Sequence, residues 1–317
     1  MNVAVLAGGR TPERDVSLRS GHRVMGALEE LGHRASVIDP GEVALAELLL
    51  EDPPDLCYLT LHGNEGEDGT IQRLLDVLGL GYTGTAAFDC EIAFDKLLAK
   101  DALERADVRT PAWAPVEGSA LRDLGAGSAL PRVSRKVGSP CLVKPSRSGS
   151  ALGVSTVPGG GDLAAAVMHA LSFSGAAIVE AEITGVEVAV GVIGDGEPLP
   201  AVEIVPKSGT FDYAARYTAG ATDYYAPARL SEADSAACRE AALAAWRALQ
   251  LRDVTRVDMI VDEAGEPWVL DVNVSPGMTE TSLLPMGAGA RGMSLAQLCD
   301  AVLRSAAARS GGASATG

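Results

Sequence analysis

The segment 255–274 carries acidic and amide side chains at a spacing that could place an oxygen-rich metal site on one face of a β-hairpin. Its sequence, TRVDMIVDEAGEPWVLDVNV, alternates apolar and polar residues on both sides of the polar stretch DEAGEP, the pattern of two antiparallel strands joined by a turn. A turn centred between the alanine and the glycine of that stretch puts Asp258 opposite Asp271 and Arg256 opposite Asn273. Opposite residues share a face of the sheet, so this register brings the four side chains together.

Two carboxylates and an amide oxygen suit a hard cation such as Mg²⁺, which takes one or two carboxylates and completes its shell with substrate phosphates. The sequence Ser-Pro-Gly at 275–277 follows the second strand directly, and such a bend lets a ligand approach the backbone closely. The competing interpretation is a solvated polar face on an edge hairpin, and this stretch alone leaves both open.

Composition limits the classes of partner. The chain has 317 residues, 47% of them hydrophobic, and a net charge of −16. The length allows two or three domains, and the acidic balance argues against nucleic acid as a partner. A bound polyphosphate would need locally placed cations. Most basic residues in this chain are arginines, so a lysine is a more specific candidate for phosphate binding, to which its compact charge is suited. The lysines are Lys96, Lys100, Lys136, Lys144 and Lys207.

No apolar run reaches the roughly 18 residues of a membrane span. The N-terminal sequence MNVAVLAGGRTPERD lacks the basic region of a signal peptide. We therefore expect a cytoplasmic protein with no membrane partner. The cysteines are scattered and lack metal-ligand spacing, so we expect reduced thiols.

The N-terminal part alternates short strands with helices, which predicts a parallel sheet with ligands beyond the strand ends. Gly8-Gly9 follows the first strand, but it does not match the dinucleotide fingerprint. Glu13 lies in the same loop, and His62 opens a polar, glycine-rich loop after the third strand. A lone histidine is more often structural, but a strand-end position in the same unit as Glu13 favours a site.

A second loop rich in small residues, SRSGSALG at 146–153, follows a strand that ends in Lys144. Its free backbone N–H groups could cradle phosphate oxygens. It is not a P-loop, because the lysine precedes the loop; the alternative is a flexible turn. The long polar and aromatic segment 211–227 is predicted to be a lid or disordered. The Ala/Gly/Ser-rich tail 306–317 is predicted to be disordered.

Several ordered motifs together resemble one family. Over residues 2–304 the chain resembles the ATP-grasp ligases, specifically the D-alanine–D-alanine ligase family. The motifs are HGNEGEDGTIQ at 62–72, YTGT at 82–85, DK at 95–96, KPSRSGSALGVS at 144–155, RVD at 256–258 and DVNVSPGMTETSLLP at 271–285. Each motif alone is modest, whereas their succession is specific.

The resemblance implies an α/β ATP-grasp fold in three parts: a parallel-sheet domain at 1–85, a central ATP-binding domain at 86–178, and a C-terminal domain at 179–305 that holds the lid and the hairpin. It implies that ATP phosphorylates the carboxylate of one D-alanine and that the amine of a second displaces phosphate, for peptidoglycan precursor synthesis. ATP and two Mg²⁺ ions, with Mn²⁺ as an alternative metal, are the implied cofactors. A homodimer is the implied assembly.

Carried over by position, the resemblance implies four groups of site residues. The metal ligands are Asp258, Asp271 and Asn273. The ATP-binding residues are Lys96, Lys144, Glu180, Ala181, Ile183, Glu187 and Arg216. The substrate-binding residues are Glu13, His62, Ser282 and Leu283. The catalytic residues are Glu13, Ser150, Tyr217, Arg256 and Gly277, with Arg256 and the Gly277 N–H on the tetrahedral oxyanion and Glu13, Ser150 and Tyr217 as a linking triad.

Departures from the family pattern leave the substrate open. Asp271 stands in place of glutamate, Arg216 in place of a lid lysine, Ala151 in place of a serine, and Glu182 where an apolar or aromatic residue is usual. One alternative is a ligase that uses a hydroxy acid or another amino acid as acceptor, in a biosynthetic or resistance role. Another is a catalytically weak ATP-binding regulator. Tyr217 favours an amine acceptor, because family members that use D-lactate lack this tyrosine.

Overall fold

The computed structural model describes residues 1–207, 218 and 220–313. The predicted site residues Arg216 and Tyr217 lie outside the described residues, as do residues 211–217 and 219 of the predicted lid 211–227. The strand at Thr222–Tyr225 is the part of that segment with regular structure.

The first unit is a parallel sheet covered by helices. In chain order it contains β1 (Asn2–Leu6), α1 (Arg14–Glu30), β2 (Arg34–Ile38), α2 (Leu45–Glu51), β3 (Leu56–Leu59) and α3 (Thr70–Leu78). The strand order is β2-β1-β3 and both pairings are parallel, which confirms the predicted parallel sheet. Because β1 is central, its residues from Val3 to Leu6 are buried on both faces.

The second unit contains a four-stranded antiparallel sheet in the order β4-β7-β5-β6. Helices α4 (Ala87–Phe94) and α5 (Lys96–Arg105) precede this sheet in the chain. The helices and strands of the unit itself are β4 (Trp113–Glu117), α6 (Gly118–Asp123), α7 (Leu130–Val137), β5 (Cys141–Pro145), β6 (Ser155–Val157), α8 (Leu163–Ala170) and β7 (Ala176–Ala181). Helices α7 and α8 pack their apolar sides on this sheet around Val143 and Val179.

The third unit is a six-stranded sheet in the order β11-β10-β8-β12-β13, with β9 beside β8. It contains β8 (Val186–Gly194), β9 (Glu197–Pro198), β10 (Val202–Pro206), β11 (Thr222–Tyr225), α9 (Glu232–Ala248), β12 (Asp253–Val261), β13 (Pro267–Asn273), α10 (Leu283–Ala290) and α11 (Leu295–Ala313). Long strands β8 and β12 pair along their full lengths, and they form the centre on which the hairpin is built.

Unit boundaries differ from those predicted. Residue 178 falls inside β7, so the central sheet continues to Ala181. Helices α4 and α5, expected in the central domain, bury Cys90, Ala99 and Leu103 in the same core as the third sheet. The helices fall on that side because their apolar faces meet β13 and α9, a long-range packing that local composition does not encode.

The described part of the tail, residues 306–313, also differs from its prediction, and residues 314–317 lie outside the described residues. Helix α11 runs to Ala313, although the sequence predicted disorder from residue 306. Ala306 is fully buried, and the Arg309 guanidinium forms an ion pair with the buried carboxylate of Asp253. Tertiary contacts therefore extend a helix that its composition alone does not favour. In the parts of the chain that the structure describes, no helix is long and apolar enough to cross a membrane.

Candidate active site

Where the three units meet, a cleft of about 370 Å³ is lined by side chains from all of them. The first unit contributes Glu13 and His62, and the phosphate-loop candidate contributes residues 148–151. The predicted site residues on its wall are Glu13, His62, Lys96, Ser150, Arg256, Asp271, Asn273, Gly277, Ser282 and Leu283. The structure therefore brings ten of the predicted residues to one place.

The four site residues of the hairpin pair as predicted, but the turn lies at a different position and a bulge restores the pairing. Asp258 pairs with Asp271 and Arg256 with Asn273, whereas the pairing shifts by one residue beyond Asp258. The turn is centred on Ala264 rather than after it, and Leu270 is the extra residue of a bulge.

The bulge has a packing cause. Val269 and Val272 are both buried in the core below the third sheet although they are three residues apart, and strict alternation would place them on opposite faces. The extra residue at Leu270 resolves this conflict. It also turns Asp271 and Asn273 to the cleft side, where Arg256 and Asp258 lie.

Arg256 and Asp258 form a bidentate ion pair, with Nε to Oδ1 at 2.6 Å and Nη2 to Oδ2 at 2.8 Å. Burial alone would lower the pKa of Arg256, but the Asp258 carboxylate outweighs it and holds the pKa above the usual value. Asp271 is reached by the Lys96 ammonium at 3.3 Å. The Asn273 amide oxygen accepts a hydrogen bond from the Ser275 N–H at 2.8 Å.

These oxygens fit a metal that shares its ligands with a substrate. The hairpin offers two carboxylates and one amide oxygen on one face. Among the described residues, no group of three or more His, Cys, Asp and Glu side chains could hold a metal ion by itself. A hard cation here would need phosphate oxygens to complete its shell, as Mg²⁺ does in nucleotide sites.

Residue Glu13 connects the first unit to the loop 146–153. The Ser150 hydroxyl donates to Glu13 Oε1 at 2.9 Å, so two members of the predicted triad are in contact. Ser150 and Ala151 both have left-handed backbones, with φ of 54° and 57°, an unusual pair for non-glycine residues. The Lys96 ammonium donates to the Ser148 carbonyl at 3.1 Å and so ties this loop to α5.

Lys144 and Glu180 lie deeper, in a buried ionic cluster that sequence reasoning described incompletely. Glu180, 1% exposed, contacts Lys144 through one carboxylate oxygen and Lys100 through the other. Lys100 also donates to the backbone carbonyl of Val269 at 3.1 Å and to Thr110 Oγ1. Lys100 was not among the predicted site residues. Its spacing of four residues from Lys96 on α5, together with the scarcity of lysine, was the available signal.

The charge states of this cluster follow from burial and pairing. Burial alone would raise the pKa of Glu180, but Lys100 and Lys144 outweigh it, so this pKa lies below its usual value. Burial lowers the pKa of Lys100, and Glu180 offsets this only in part. For Lys144, burial is outweighed by Glu180 and the pKa is raised. Glu180 is thus fixed as a carboxylate. Of the other predicted ATP-binding residues, Ala181 ends β7, Ile183 lies in the connection to β8, and Glu187 lies on β8.

His62 is buried, and its Nε2 has no hydrogen-bond partner within the described residues. Its Nδ1 lies 3.7 Å from Glu67 Oε1. A Cβ placed on Gly277 would be 4.0 Å from His62 Nε2 and 2.7 Å from the Ser282 hydroxyl. His62, Gly277 and Ser282 therefore converge on one end of the cleft, where a small polar substrate could bind.

Comparison with known proteins agrees with this architecture. The family model described as "D-ala D-ala ligase C-terminus" matches residues 102–304. The D-alanine--D-alanine ligase of Methylacidiphilum infernorum is 40% identical over 95% of this chain and 94% of its own length. That of Gloeobacter violaceus is 41% identical over 96% of this chain and 98% of its own.

Solved structures are similar over nearly the whole chain. A D-alanine--D-alanine ligase from Bacillus anthracis superposes with a TM-score of 0.84 at 29% identity, covering 99% of both chains. Its complex with ATP gives 0.83 at 28% identity, with the same coverage. The VanG D-Ala:D-Ser ligase from Enterococcus faecalis gives 0.82 at 27% identity, covering 96% of this chain and 99% of its own.

Proposed function

Because this chain belongs to the D-alanine–D-alanine ligase family, we propose that its cleft performs the family's reaction with the residues placed above. As a member of that family it is an ATP-dependent ligase that joins two molecules of D-alanine and thereby supplies peptidoglycan synthesis. The observation that carries the assignment of residues is the cleft itself, where Glu13, Lys96, Arg256 and Gly277 converge from separate parts of the chain.

ATP lies between the second and third sheets in this proposal. Lys144 and Lys96 point to the phosphates, and the Glu180 carboxylate, Ala181, Ile183 and Glu187 line the adenosine end. Support comes from the ATP complex of a relative that shares the fold and from the loop 146–153, which presents backbone N–H groups next to Lys96. Arg216 would add a cation from the segment outside the described residues.

Asp258, Asp271 and Asn273 would hold two Mg²⁺ ions, with Mn²⁺ as an alternative. When bound, the metal neutralises charge on the phosphates and so favours transfer to a carboxylate. The protein's own contribution is to present these oxygens on a rigid hairpin. Arg256 orients Asp258 through their ion pair, and the Lys96 ammonium pairs with Asp271.

Glu13 binds the ammonium of the first D-alanine. The carboxylate of this D-alanine attacks the terminal phosphorus of ATP, which gives an acyl phosphate and releases ADP. The free amine of the second D-alanine then attacks the acyl carbon. Negative charge develops on the acyl oxygen, and Arg256 and the Gly277 N–H are placed to stabilise it. The intermediate then collapses: the bond from carbon to the phosphate oxygen breaks, the attacking nitrogen gives up a proton, and the amide and inorganic phosphate remain. Ser282, Leu283 and His62 lie at the end where the second substrate binds.

The acceptor is proposed to be a D-amino acid, D-alanine first of all, with Tyr217, Ser150 and Glu13 as the triad that closes the site. The test is product analysis with ATP and D-alanine alone, then with tenfold D-lactate or D-serine added. We expect D-alanyl-D-alanine in every mixture and little ester at pH 7. Predominant ester would assign the chain to the hydroxy-acid ligases, and predominant D-alanyl-D-serine to the class named by the VanG relative. No ligation in any mixture would favour a regulator.

We propose a homodimer formed through the first unit. Val77 on α3 of the first unit and Phe88 on the neighbouring helix α4 are large apolar side chains with 85% and 68% exposure, which suits a surface covered by a second copy. Sedimentation equilibrium of the wild type and of Phe88→Glu compares the two masses, and a monomeric wild type would contradict this assembly.

A further inference from the structure

Helix α1 holds both backbone polar groups of Met278, the residue directly after Gly277. The Met278 N–H donates to the Ser20 hydroxyl at 3.0 Å, and the Met278 carbonyl accepts from Arg23 Nη1 at 2.7 Å. We propose that Ser20 and Arg23 are positioning residues that set the Gly277 N–H at the distance the reacting acyl oxygen requires. This inference rests on the proposed role of Gly277.

The spacing along α1 makes the arrangement possible. Ser20 lies seven residues, about two turns, after Glu13, and Arg23 lies three residues, about one turn, after Ser20, so the three residues fall on one side of the helix. Glu13 precedes the first turn of α1 and carries the proposed ammonium site. One rigid helix therefore fixes the distance between the group that binds the first D-alanine and the loop that stabilises its acyl oxygen.

Other contacts of the loop 275–282 lie at its two ends and at the exposed Glu280, which pairs with Arg23 at 3.3 Å and Arg19 at 3.5 Å. The Ser275 hydroxyl donates to the Leu61 carbonyl at 2.7 Å, another contact from the first unit. On the far side, the Thr279 N–H donates to the Ser282 hydroxyl at 3.0 Å, within the loop itself. The Ser20 side chain is fully buried, so water does not replace its hydroxyl in the native arrangement. Between Ser275 and Thr279, the backbone hydrogen bonds of Met278 are the direct link to α1.

Small displacements of such a donor matter for the rate. Oxyanion donors act within a narrow range of distance, and a shift of about 1 Å at a reacting group can cost on the order of 100-fold in rate. Losing one of two restraints moves the loop less than that, so we expect each single variant to lower kcat on the order of 10-fold. Binding of ATP, at the opposite end of the cleft, is not expected to change.

The experiment compares Ser20→Ala and Arg23→Met with two controls. Glu280→Gln removes the ion pair that Glu280 makes with Arg23 at 3.3 Å, but it leaves the hydrogen bond from Arg23 to Met278. Glu280 is largely exposed, so this variant should change kcat by less than about threefold. Arg23→Lys keeps a donor for the Met278 carbonyl and should recover part of the loss.

The readouts are kcat, the KM values for ATP and D-alanine, and inhibition by a phosphinate analogue of D-alanyl-D-alanine, which mimics the tetrahedral intermediate. We expect the analogue to lose affinity in proportion to kcat while the KM for ATP is unchanged. Thermal unfolding of each variant identifies those that fail to fold.

Two outcomes separate this inference from the proposed function. If the wild type forms dipeptide and folded Ser20→Ala and Arg23→Met match Glu280→Gln in kcat and in analogue affinity, the positioning role is refuted. If both variants raise the KM for ATP as much as they lower kcat, the effect is a general loosening and the inference is also refuted. If the wild type forms no dipeptide, the proposed function itself fails.

Discussion

Replacing Lys100 by methionine tests the buried cluster around Glu180. Methionine keeps most of the side-chain length and removes the ammonium that contacts Glu180, Thr110 Oγ1 and the Val269 carbonyl. Lys100 and Glu180 are 3% and 1% exposed, so solvent cannot compensate. Removing one partner of a buried ion pair typically costs about 3–5 kcal/mol.

The cost should fall at the lower end of that range, because Lys144 remains in contact with Glu180. We expect about 3 kcal/mol, because the Val269 carbonyl also keeps the hydrogen bond that the Thr110 hydroxyl donates to it at 2.8 Å. Lys100→Arg keeps the charge but does not fit the same space, and it should fall between methionine and the wild type.

The dependence on pH gives a second measurement. In the wild type the pKa of Glu180 is depressed below 4.5, so its contribution to stability is present above that value and is lost as pH falls through the lowered pKa. Without Lys100, burial raises the pKa of Glu180, and the acid loss should begin at a higher pH. Thermal unfolding between pH 4 and pH 8 measures both effects. A Lys100→Met protein with an unchanged midpoint and unchanged acid limb would refute the reasoning.

Two further predictions concern the hairpin and the C-terminal helix. Asp258→Asn should abolish turnover at ordinary Mg²⁺ concentrations, because an amide cannot accept both hydrogen bonds from Arg256 and supplies no charge to the metal. Asp271→Asn should act similarly, while Asp271→Glu should retain activity. Phosphate release measured over an Mg²⁺ titration checks this, and near-native turnover by Asp258→Asn would exclude this metal site. Arg309→Met should lower the free energy of unfolding by about 2 kcal/mol because it leaves the fully buried Asp253 without its guanidinium; urea denaturation measures this, and an unchanged midpoint would show that the pair contributes nothing.

The pairing of the site residues in the hairpin was predicted correctly from the sequence, although the turn position was slightly wrong and the bulge was not predicted. Strict alternation and a turn after Ala264 placed Asp258 opposite Asp271, and the structure has that pair. The actual turn lies half a residue earlier, and without the bulge at Leu270 Asp258 would face Leu270 instead. Local alternation cannot predict the bulge, because its cause is the burial of Val269 and Val272 in a core built from distant segments.

By itself the sequence determined which chemical groups were available and the local structure that presents them. The parallel first unit, the hairpin, the loop 146–153 and the ordered motifs were all readable, because alternation, strand-end loops and motif order depend on residues close together in the chain. Most of the candidate site followed from these features.

Only the tertiary structure decided which side chains are buried and which distant segments are in contact. It buried Lys100 against Glu180, placed α4 and α5 with the third sheet, continued α11 to Ala313 through the pair of Arg309 with Asp253, and set α1 against Met278. Each of these depends on which distant segments pack together, and burial and pairing energies arise only after that packing is complete.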